Sequence, residues 1–238
     1  EAFARLKNHV LPAIIDQAGV NDEMRFWVSG CATGEEAYSL AILLNEAIEK
    51  SPRKVGAKIF ATDVHRVSLD IASAGLYGAE QLVDVDAERL ARHFTPKGDG
   101  YQVGHEIRRL VVFAHHNILK DAPFTRLDLV TCRNLLIYLK PETQKRVLEV
   151  FRFALRSEGF LFLGHSESLG DEATSYRTID QRWKIFRRNP DAPRPSLTLV
   201  APERSVVRSE PIEVPVRTES SGSPGPGNCA MPPAVCRS

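Results

Sequence analysis

The sequence has few cysteines and no long apolar run, and each shortage excludes a class of protein. Its four cysteines, at positions 31, 132, 229 and 236 of 238 residues, show no Cys-x-x-Cys spacing. A disulfide framework or a zinc site is therefore not expected. No apolar run approaches the roughly 20 residues that cross a bilayer, and no signal-peptide pattern opens the chain. We expect a cytoplasmic protein that is not inserted in a membrane.

Charge of one sign is lacking as well. The chain has 31 Lys and Arg against 30 Asp and Glu, which gives a formal net charge of +1. Proteins that bind nucleic acid usually carry a strong basic excess or a basic stripe. Nucleic acid is therefore not an expected partner. The hydrophobic fraction of 43% and the charged fraction of 26% are typical of an ordinary globular domain.

The distribution of proline divides the chain near residue 190. The first 190 residues contain six prolines, whereas the last 48 contain nine and the run Ser-Ser-Gly-Ser-Pro-Gly-Pro-Gly at 220–227. Such a segment buries too little apolar surface to offset the entropy lost on ordering. We predict a folded domain at 1–190 and a flexible linker or tail at 191–238, in which Cys229 and Cys236 are incidental. Part of a neighbouring domain is the alternative for this tail.

Apolar patterns alternate between short strands and amphipathic helices across residues 1–190. Strands are predicted at 25–30, 57–63, 110–114, 127–131, 159–164 and 183–186, and helices at 2–17, 35–50, 67–74 and 141–156. Pro12 is expected to kink or divide the first helix. The alternation predicts an α/β fold with a doubly wound, mostly parallel sheet. Residues 94–108 interrupt it and predict a small inserted antiparallel hairpin.

A glycine-containing loop joins the first strand to the second helix. Gly30 and Gly34 allow the backbone to approach a ligand, and the N-terminus of the following helix favours polar or anionic groups. The next residues, Glu35 and Glu36, would repel a pyrophosphate, so a dinucleotide is disfavoured and a ligand ammonium is favoured. Glu36 is the candidate ligand group. Stabilisation of the helix dipole is the alternative for both glutamates and the preferred interpretation for Glu35.

Two further strands end in candidate binding residues. Asp63 closes the second strand, where an acid commonly accepts hydrogen bonds from ribose hydroxyls, although it could instead cap the next helix. Asn117 follows the third strand, and its amide can both donate to and accept from a purine edge. The neighbouring pair His115 and His116 suggests a metal, but no second cluster with ligand spacing accompanies it. No metal site is expected.

The fourth strand delivers the most unusual stretch, Cys132-Arg-Asn-Leu-Leu-Ile-Tyr138. Polar groups at the ends of strands in an open α/β sheet face the ligand crevice, which makes Arg133 and Asn134 candidate binding residues. A plain ion pair is the alternative for Arg133, and a core aromatic is the alternative for Tyr138. Cys132 has apolar neighbours and is expected to serve packing.

Four segments in this order resemble the chemotaxis receptor methyltransferase (CheR) family. They are Gly30-Cys-Ala-Thr-Gly-Glu-Glu-Ala-Tyr-Ser39, Phe60-Ala-Thr-Asp63, Cys132-Arg-Asn-Leu-Leu-Ile-Tyr138 and Gly164-His-Ser-Glu-Ser168. The resemblance covers about residues 1–188. The stretches 123–129 and 183–188 are most similar to hybrid proteins, in which a methylesterase-like domain precedes the methyltransferase and sensor and kinase-like modules follow.

The resemblance implies a class I, Rossmann-like domain that binds S-adenosylmethionine, with a small antiparallel β subdomain inserted at about 94–108. It assigns a role to each candidate residue: Glu36 holds the methionine end of the cofactor, Asp63 its ribose, Asn117 and Ile118 border the adenine, Arg133 and Asn134 complete the crevice, and Tyr138 lies beside the transferred methyl group. Family members also carry a Thr-x-Phe-Phe-Arg stretch and a helical domain in front, which this chain lacks. The resemblance therefore does not imply that the chain is active by itself.

The implied reaction transfers a methyl group from S-adenosylmethionine to a glutamate side chain in the cytoplasmic region of a chemoreceptor. Its products are a γ-methyl ester and S-adenosylhomocysteine. Two alternatives stay open. One is a non-catalytic module of a hybrid signalling protein that binds cofactor or holds partners. The other is a nucleotide-dependent oxidoreductase, which the fold alone suggests and the pair Glu35 and Glu36 disfavours.

Overall fold

The computed structural model describes residues 1–19 and 21–193, all of which lie in one compact unit, Glu1–Ala201. The remainder of the predicted tail, with Cys229 and Cys236, lies outside the described residues, so its assignment as a linker stays a prediction. No helix in the described part is long and apolar enough to cross a membrane.

The described residues form ten strands and seven α-helices. The strands are β1 (Glu23–Ser29), β2 (Gly56–Asp63), β3 (Leu76–Gly78), β4 (Phe94–Lys97), β5 (Gly100–Val103), β6 (Val111–His115), β7 (Leu127–Cys132), β8 (Leu155–Leu163), β9 (Tyr176–Asp180) and β10 (Ile185–Arg188). The helices are α1 (Ala2–Arg5), α2 (Leu11–Gln17), α3 (Glu35–Lys50), α4 (Arg66–Ala74), α5 (Ala87–His93), α6 (His105–Arg108) and α7 (Pro141–Ala154).

Seven of these strands form the main sheet, in the order β6-β2-β1-β7-β8-β10-β9. The first five are parallel, and β10 pairs antiparallel with both β8 and β9. The five parallel strands follow the order of a doubly wound fold, in which β1 is flanked by the next strand on one side and by a later strand on the other. The predicted doubly wound, mostly parallel sheet is confirmed. A ligand crevice is expected where β1 and β7 end.

Apolar cores cover both faces of this sheet. Alternate residues of β1 enter different cores: Phe26 packs with the residues of α3, and Trp27 packs with those of α7, and both are fully buried. Every residue of β7 is buried, as expected for a central parallel strand. Burial of such side chains supplies the main stabilisation of the domain.

The first helix is continuous rather than divided at Pro12. α1 and α2 are joined by a π-helical stretch, Leu6–Val10, in which the Leu11 N–H donates to the Leu6 carbonyl. Pro12 then lies in the first turn of α2, where its missing N–H does not interrupt the helix. The expected disturbance therefore takes the form of a widened turn just before the proline.

A second, three-stranded sheet has the order β3-β5-β4. Its hairpin of β4 and β5 confirms the predicted antiparallel insertion. Its third strand, β3, was not predicted because three residues ending in Gly78 show no alternating pattern. The Tyr77 hydroxyl of β3 donates to the Thr33 carbonyl at 2.8 Å, which ties this small sheet to the glycine loop after β1.

The sequence analysis also missed α5 and β9, and several predicted boundaries differ from the observed ones. α7 ends at Ala154 rather than Arg156 because Leu155 already begins β8. The last strand begins at Ile185 because Lys184 adopts a left-handed conformation with φ of 55°. Helix and strand ends of this kind depend on tertiary pairing.

One buried carboxylate connects the first helix, α3 and α5. The Glu46 side chain, on α3, is 10% exposed and accepts hydrogen bonds from Lys7 at 2.9 Å and from Arg89 of α5 at 2.6 Å. Hydrogen bonding by Arg89, more than by Lys7, holds the pKa of Glu46 at about 2. The carboxylate stays charged because both cations compensate for its burial.

Replacing Glu46 with Gln should therefore destabilise the domain by about 2 kcal/mol at pH 7, because charged hydrogen bonds are lost. Folding lowers the pKa of Glu46, so its stabilisation is complete above the unfolded value of about 4.3 and is lost as the pH falls toward about 2. Urea unfolding should show that the free energy of unfolding differs less between the variant and wild type at pH 3 than at pH 7. Glu49→Gln, which breaks an exposed pair with Arg92, is the control and should cost less than about 1 kcal/mol. A pH-independent difference would contradict this account.

Candidate functional site

The loop after β1 lies at the carboxyl edge of the main sheet, and both of its glycines adopt positive φ. Gly30 has φ of 73° and Gly34 has φ of 94°. A Cβ on Gly34 would lie 2.9 Å from the Cβ of Ala72, and one on Gly30 would lie 3.2 Å from Leu135 Cδ2. Backbone conformation and close packing therefore both require glycine here. The contact with Leu135 brings this loop against the segment that follows β7.

Asp63 fixes the conformation of this glycine loop from the end of β2. Its Oδ2 accepts the Ala32 N–H at 2.9 Å, and its Oδ1 accepts the His65 N–H at 2.9 Å. The alternative role as cap of α4 is wrong, because the His65 side chain caps that helix by accepting from Ser68. Each Asp63 oxygen receives one N–H, so each keeps a lone pair for a ligand hydroxyl.

Glu36 connects the start of α3 to the end of β7. Its Oε1 accepts the Thr131 hydroxyl at 2.6 Å, and its Oε2 lies 3.4 Å from Arg133 Nη1. Burial raises the pKa of Glu36 despite these two favourable contacts. Glu35 is exposed and accepts the hydroxyl of Thr33 at 2.8 Å, which agrees with its preferred interpretation as a local helix-terminus group.

Arg133 lies between two aromatic rings and a carboxylate. Its guanidinium carbon is 5.3 Å from the centroid of the Phe3 ring and 5.0 Å from that of Phe162. Its Nε is buried without a hydrogen-bond partner in the described part of the chain. Arg133 does form an ion pair, with Glu36, as the alternative interpretation expected. This ion pair is compatible with ligand binding. Together the two groups present one negative and one positive charge side by side.

The loop after β6 contains the predicted adenine-side residues. The Asn117 N–H donates to Asp121 Oδ2 at 2.7 Å, and Asn117 Oδ1 accepts the Leu119 N–H at 3.0 Å. The side-chain NH₂ of Asn117 is thus the part left for a ligand. Ile118 is half-buried and packs against the core beneath α7. In the described residues, no group of three His, Cys, Asp or Glu side chains could hold a metal ion.

The segment after β7 forms a tight turn at the surface. Asn134 is exposed and left-handed, with φ of 60°, and the stretch Leu136–Tyr138 is a 3₁₀ helix. Tyr138 is 79% exposed, so the alternative of a core aromatic is wrong. Cys132 at the end of β7 is fully buried, as predicted for a packing residue, and burial raises the pKa of its thiol.

Sequence reasoning missed several residues that build this edge. Glu167, only 3% exposed, accepts N–H groups from Leu135 at 2.9 Å, from Leu136 at 2.8 Å and from Gly164 at 2.6 Å. Glu167 lies in the segment 164–168, one of the four that resemble the CheR family, but the sequence analysis assigned no role to it. Thr131 could have been found from its place two residues before Arg133 at the end of β7. No local signal pointed to Phe3.

Comparisons with known proteins show the family of this domain. The sequence profile for the CheR methyltransferase SAM-binding domain matches residues 1–185. The chain is 36% identical over 183 residues to chemotaxis protein methyltransferase 1 of Pseudomonas aeruginosa, covering 74% of this chain and 66% of that protein. It is 34% identical over 167 residues to a chemotaxis protein methyltransferase of Listeria innocua, covering 69% and 60%.

A further relative is much longer. An uncharacterized 104.1 kDa protein of Rhodobacter capsulatus is 44% identical over 187 residues, which cover 79% of this chain and 20% of that protein. Among solved structures, a TehB-like SAM-dependent methyltransferase of Corynebacterium glutamicum has a TM-score of 0.42 at 13% identity, covering 76% of this chain and 86% of that one. The chain thus spans from about a fifth to about two thirds of the length of these curated relatives. It belongs to the CheR methyltransferase family and carries that family's S-adenosylmethionine-binding domain.

Proposed function

We propose that this protein transfers a methyl group from S-adenosylmethionine to glutamate side chains of chemoreceptors, in the cytoplasm. Two relatives that cover most of the chain are chemotaxis protein methyltransferases. The observation that carries the proposal is the convergence of Glu36, Arg133 and Asp63 at one sheet edge, with the exposed Tyr138 on the adjoining turn. This edge combines groups for a charged cofactor with a side chain that an incoming protein can reach.

The donor set fits the chemical groups of S-adenosylmethionine. The cofactor's amino-acid end carries an ammonium and a carboxylate, which complement the adjacent Glu36 and Arg133. Its ribose hydroxyls suit the free lone pairs of Asp63, and its adenine suits the free amide NH₂ of Asn117 beside the apolar Ile118. The buried Nε of Arg133, which has no hydrogen-bond partner among the described residues, is a further donor in this region. We therefore assign cofactor binding to these residues and to Asn134.

The proposed reaction requires little acid–base catalysis by the protein. A glutamate carboxylate has an ordinary pKa of about 4.3, so the methyl acceptor is already ionised at neutral pH and no general base is needed. The bound cofactor supplies a methyl group activated by its sulfonium. The task of the chain is to orient the acceptor and to exclude water. The exposed hydroxyl of Tyr138 can donate a hydrogen bond that orients the incoming carboxylate.

The longer relative supports a wider context. In the Rhodobacter capsulatus protein the matching segment occupies 20% of the length. We infer that this domain operates with fused methylesterase-like and sensor or kinase-like modules. In that setting a chemoreceptor's cytoplasmic region is the substrate.

A methylation assay with a radiolabelled methyl donor tests the proposal directly. The chain, S-adenosylmethionine and a cytoplasmic chemoreceptor fragment should yield a base-labile methyl ester on the fragment. Cofactor binding without any transfer would favour the alternative of a non-catalytic module. Binding of NAD would favour the oxidoreductase alternative.

Glu36→Gln should weaken binding of S-adenosylhomocysteine by about 10- to 100-fold, because a charged hydrogen bond to the ligand ammonium is worth about 1.5–3 kcal/mol. Calorimetric titration measures the affinity. Glu35→Gln is the matched control, one residue away and exposed, and should bind like wild type. Because burial raises the pKa of Glu36, wild-type affinity should fall on acidification at a higher pH than an ordinary glutamate would give. Equal losses in both variants would contradict the assignment.

Tyr138→Phe should lower kcat by about tenfold or more while leaving affinity for S-adenosylhomocysteine within about twofold, because the hydroxyl acts on the acceptor rather than on the cofactor. The exposed position of Tyr138 makes a folding defect unexpected. Steady-state methylation and calorimetry on the same variant give the two quantities. Equal losses of turnover and cofactor affinity would exclude this role.

A further inference from the structure

The turn that carries Tyr138 is held by hydrogen bonds as well as by packing. Of its 3₁₀ helix, Leu136 is buried, whereas Ile137 is 44% exposed and Tyr138 is 79% exposed. Packing therefore anchors Leu136 and, through the half-buried Leu135 and Leu139, the two ends of the turn, but it leaves the side that carries Ile137 and Tyr138 open. A side chain that must orient a reacting group needs a backbone fixed within about half an ångström. The polar contacts of the turn must supply that precision.

Glu167 holds the turn on its N-terminal side. One oxygen, Oε1, accepts the N–H groups of both Leu135 and Leu136, and Oε2 accepts the N–H of Gly164 at the end of β8. A Cβ on Gly164 would lie 2.8 Å from Glu167 Oε2 and 3.0 Å from the Asn134 nitrogen, so glycine is needed for this approach. Hydrogen bonds to an ionised carboxylate are about twice as strong as neutral ones. The turn is thereby tied to β8.

Gln144 holds the same turn on its C-terminal side. Its Nε2 donates to the carbonyls of Leu136 and Leu139, both at 3.0 Å. These two carbonyls lie on either side of Tyr138 in sequence. Gln144 itself belongs to the first turns of α7 and borders a cavity of about 410 Å³ between α7 and residues 168–171.

We propose that Glu167 and Gln144 are positioning residues that act through Tyr138, with no contact of their own to substrate or cofactor. The inference rests on the proposed function, because it assumes that Tyr138 orients the methyl acceptor. Glu167 fixes the amides that precede Tyr138, and Gln144 fixes the carbonyls on either side of it. Loss of either contact frees the turn without removing a group from the cofactor crevice.

Gln144→Met is the first test, because methionine has a similar shape and no donor. Amide hydrogen exchange in the peptide 134–139 should become at least tenfold faster, since Leu139 N–H donates to Leu136 within the turn that Gln144 braces. Lys145→Met is the matched control: its exposed ion pair with Asp171 is 3.6 Å long, and its loss should leave exchange in 134–139 unchanged. Unchanged exchange in Gln144→Met would overturn the proposal. Glu167→Gln, which places an NH₂ against the Gly164 N–H, should show the same acceleration if it folds.

A double-mutant cycle then separates positioning from a general structural effect. Gln144→Met alone should lower kcat by about tenfold with cofactor affinity unchanged, but in a Tyr138→Phe background it should lower kcat by less than twofold. Additive losses would overturn the proposal, because they would show that Gln144 does not act through Tyr138. Absence of methyl transfer both by the wild-type chain and by the chain preceded by the family's front helical domain would instead overturn the proposed function. The exchange measurement needs no activity, so the two failures are distinguishable.

Discussion

The parallel pairing of β1 with both β2 and β7 is the constraint on which the candidate site depends. Ser29 at the end of β1 is level with Thr62 of β2 and with Cys132 of β7. The three strands therefore end together, and Asp63 and Arg133 follow directly at the same edge. A slip of one strand by a single residue would turn its side chains to the opposite face. The two apolar cores, which each require one face of β1, prevent such a slip.

Charged groups at this edge are stabilised by one another and by backbone amides. Asp63 holds the loop after β1, Glu36 joins α3 to β7, and Glu167 joins the end of β8 to the turn after β7. The buried Glu167 and the half-buried Glu36 and Asp63 would be costly to remove from water alone, and their donors compensate for that cost. The same hydrogen bonds that satisfy these carboxylates also order three separate loops. The candidate crevice is consequently organised by the protein's own polar groups.

The sequence could predict the residues whose roles follow from chain order. Glu36 begins a helix and Asp63 ends a strand, and both positions are visible in the alternation of apolar segments. Glu167 and Gln144 could not be assigned in this way. The two turn residues that donate to Glu167 lie 31 and 32 residues away in the sequence, and the carbonyls that accept from Gln144 lie on the turn before its helix. Their partners are also backbone groups, which leave no complementary side chain to recognise. The strand β3 escaped prediction for a similar reason, since its pairing with β5 rather than its own pattern makes it a strand.

Exposure of Tyr138 explains why its turn is braced by polar contacts. On the proposed function, a protein substrate has to reach the transferred methyl group, so the turn has to stay uncovered by other parts of the domain. Packing of Leu135, Leu136 and Leu139 anchors the inner side of the turn, whereas Ile137 and Tyr138 are exposed. The backbone donates hydrogen bonds to the buried carboxylate of Glu167 and accepts hydrogen bonds from Gln144, and these contacts leave the outer surface of the turn open. Such an arrangement holds the Tyr138 side chain in place and leaves it accessible to a macromolecule. Glu167 can hold the turn in this way because its own burial keeps water from competing for the amides.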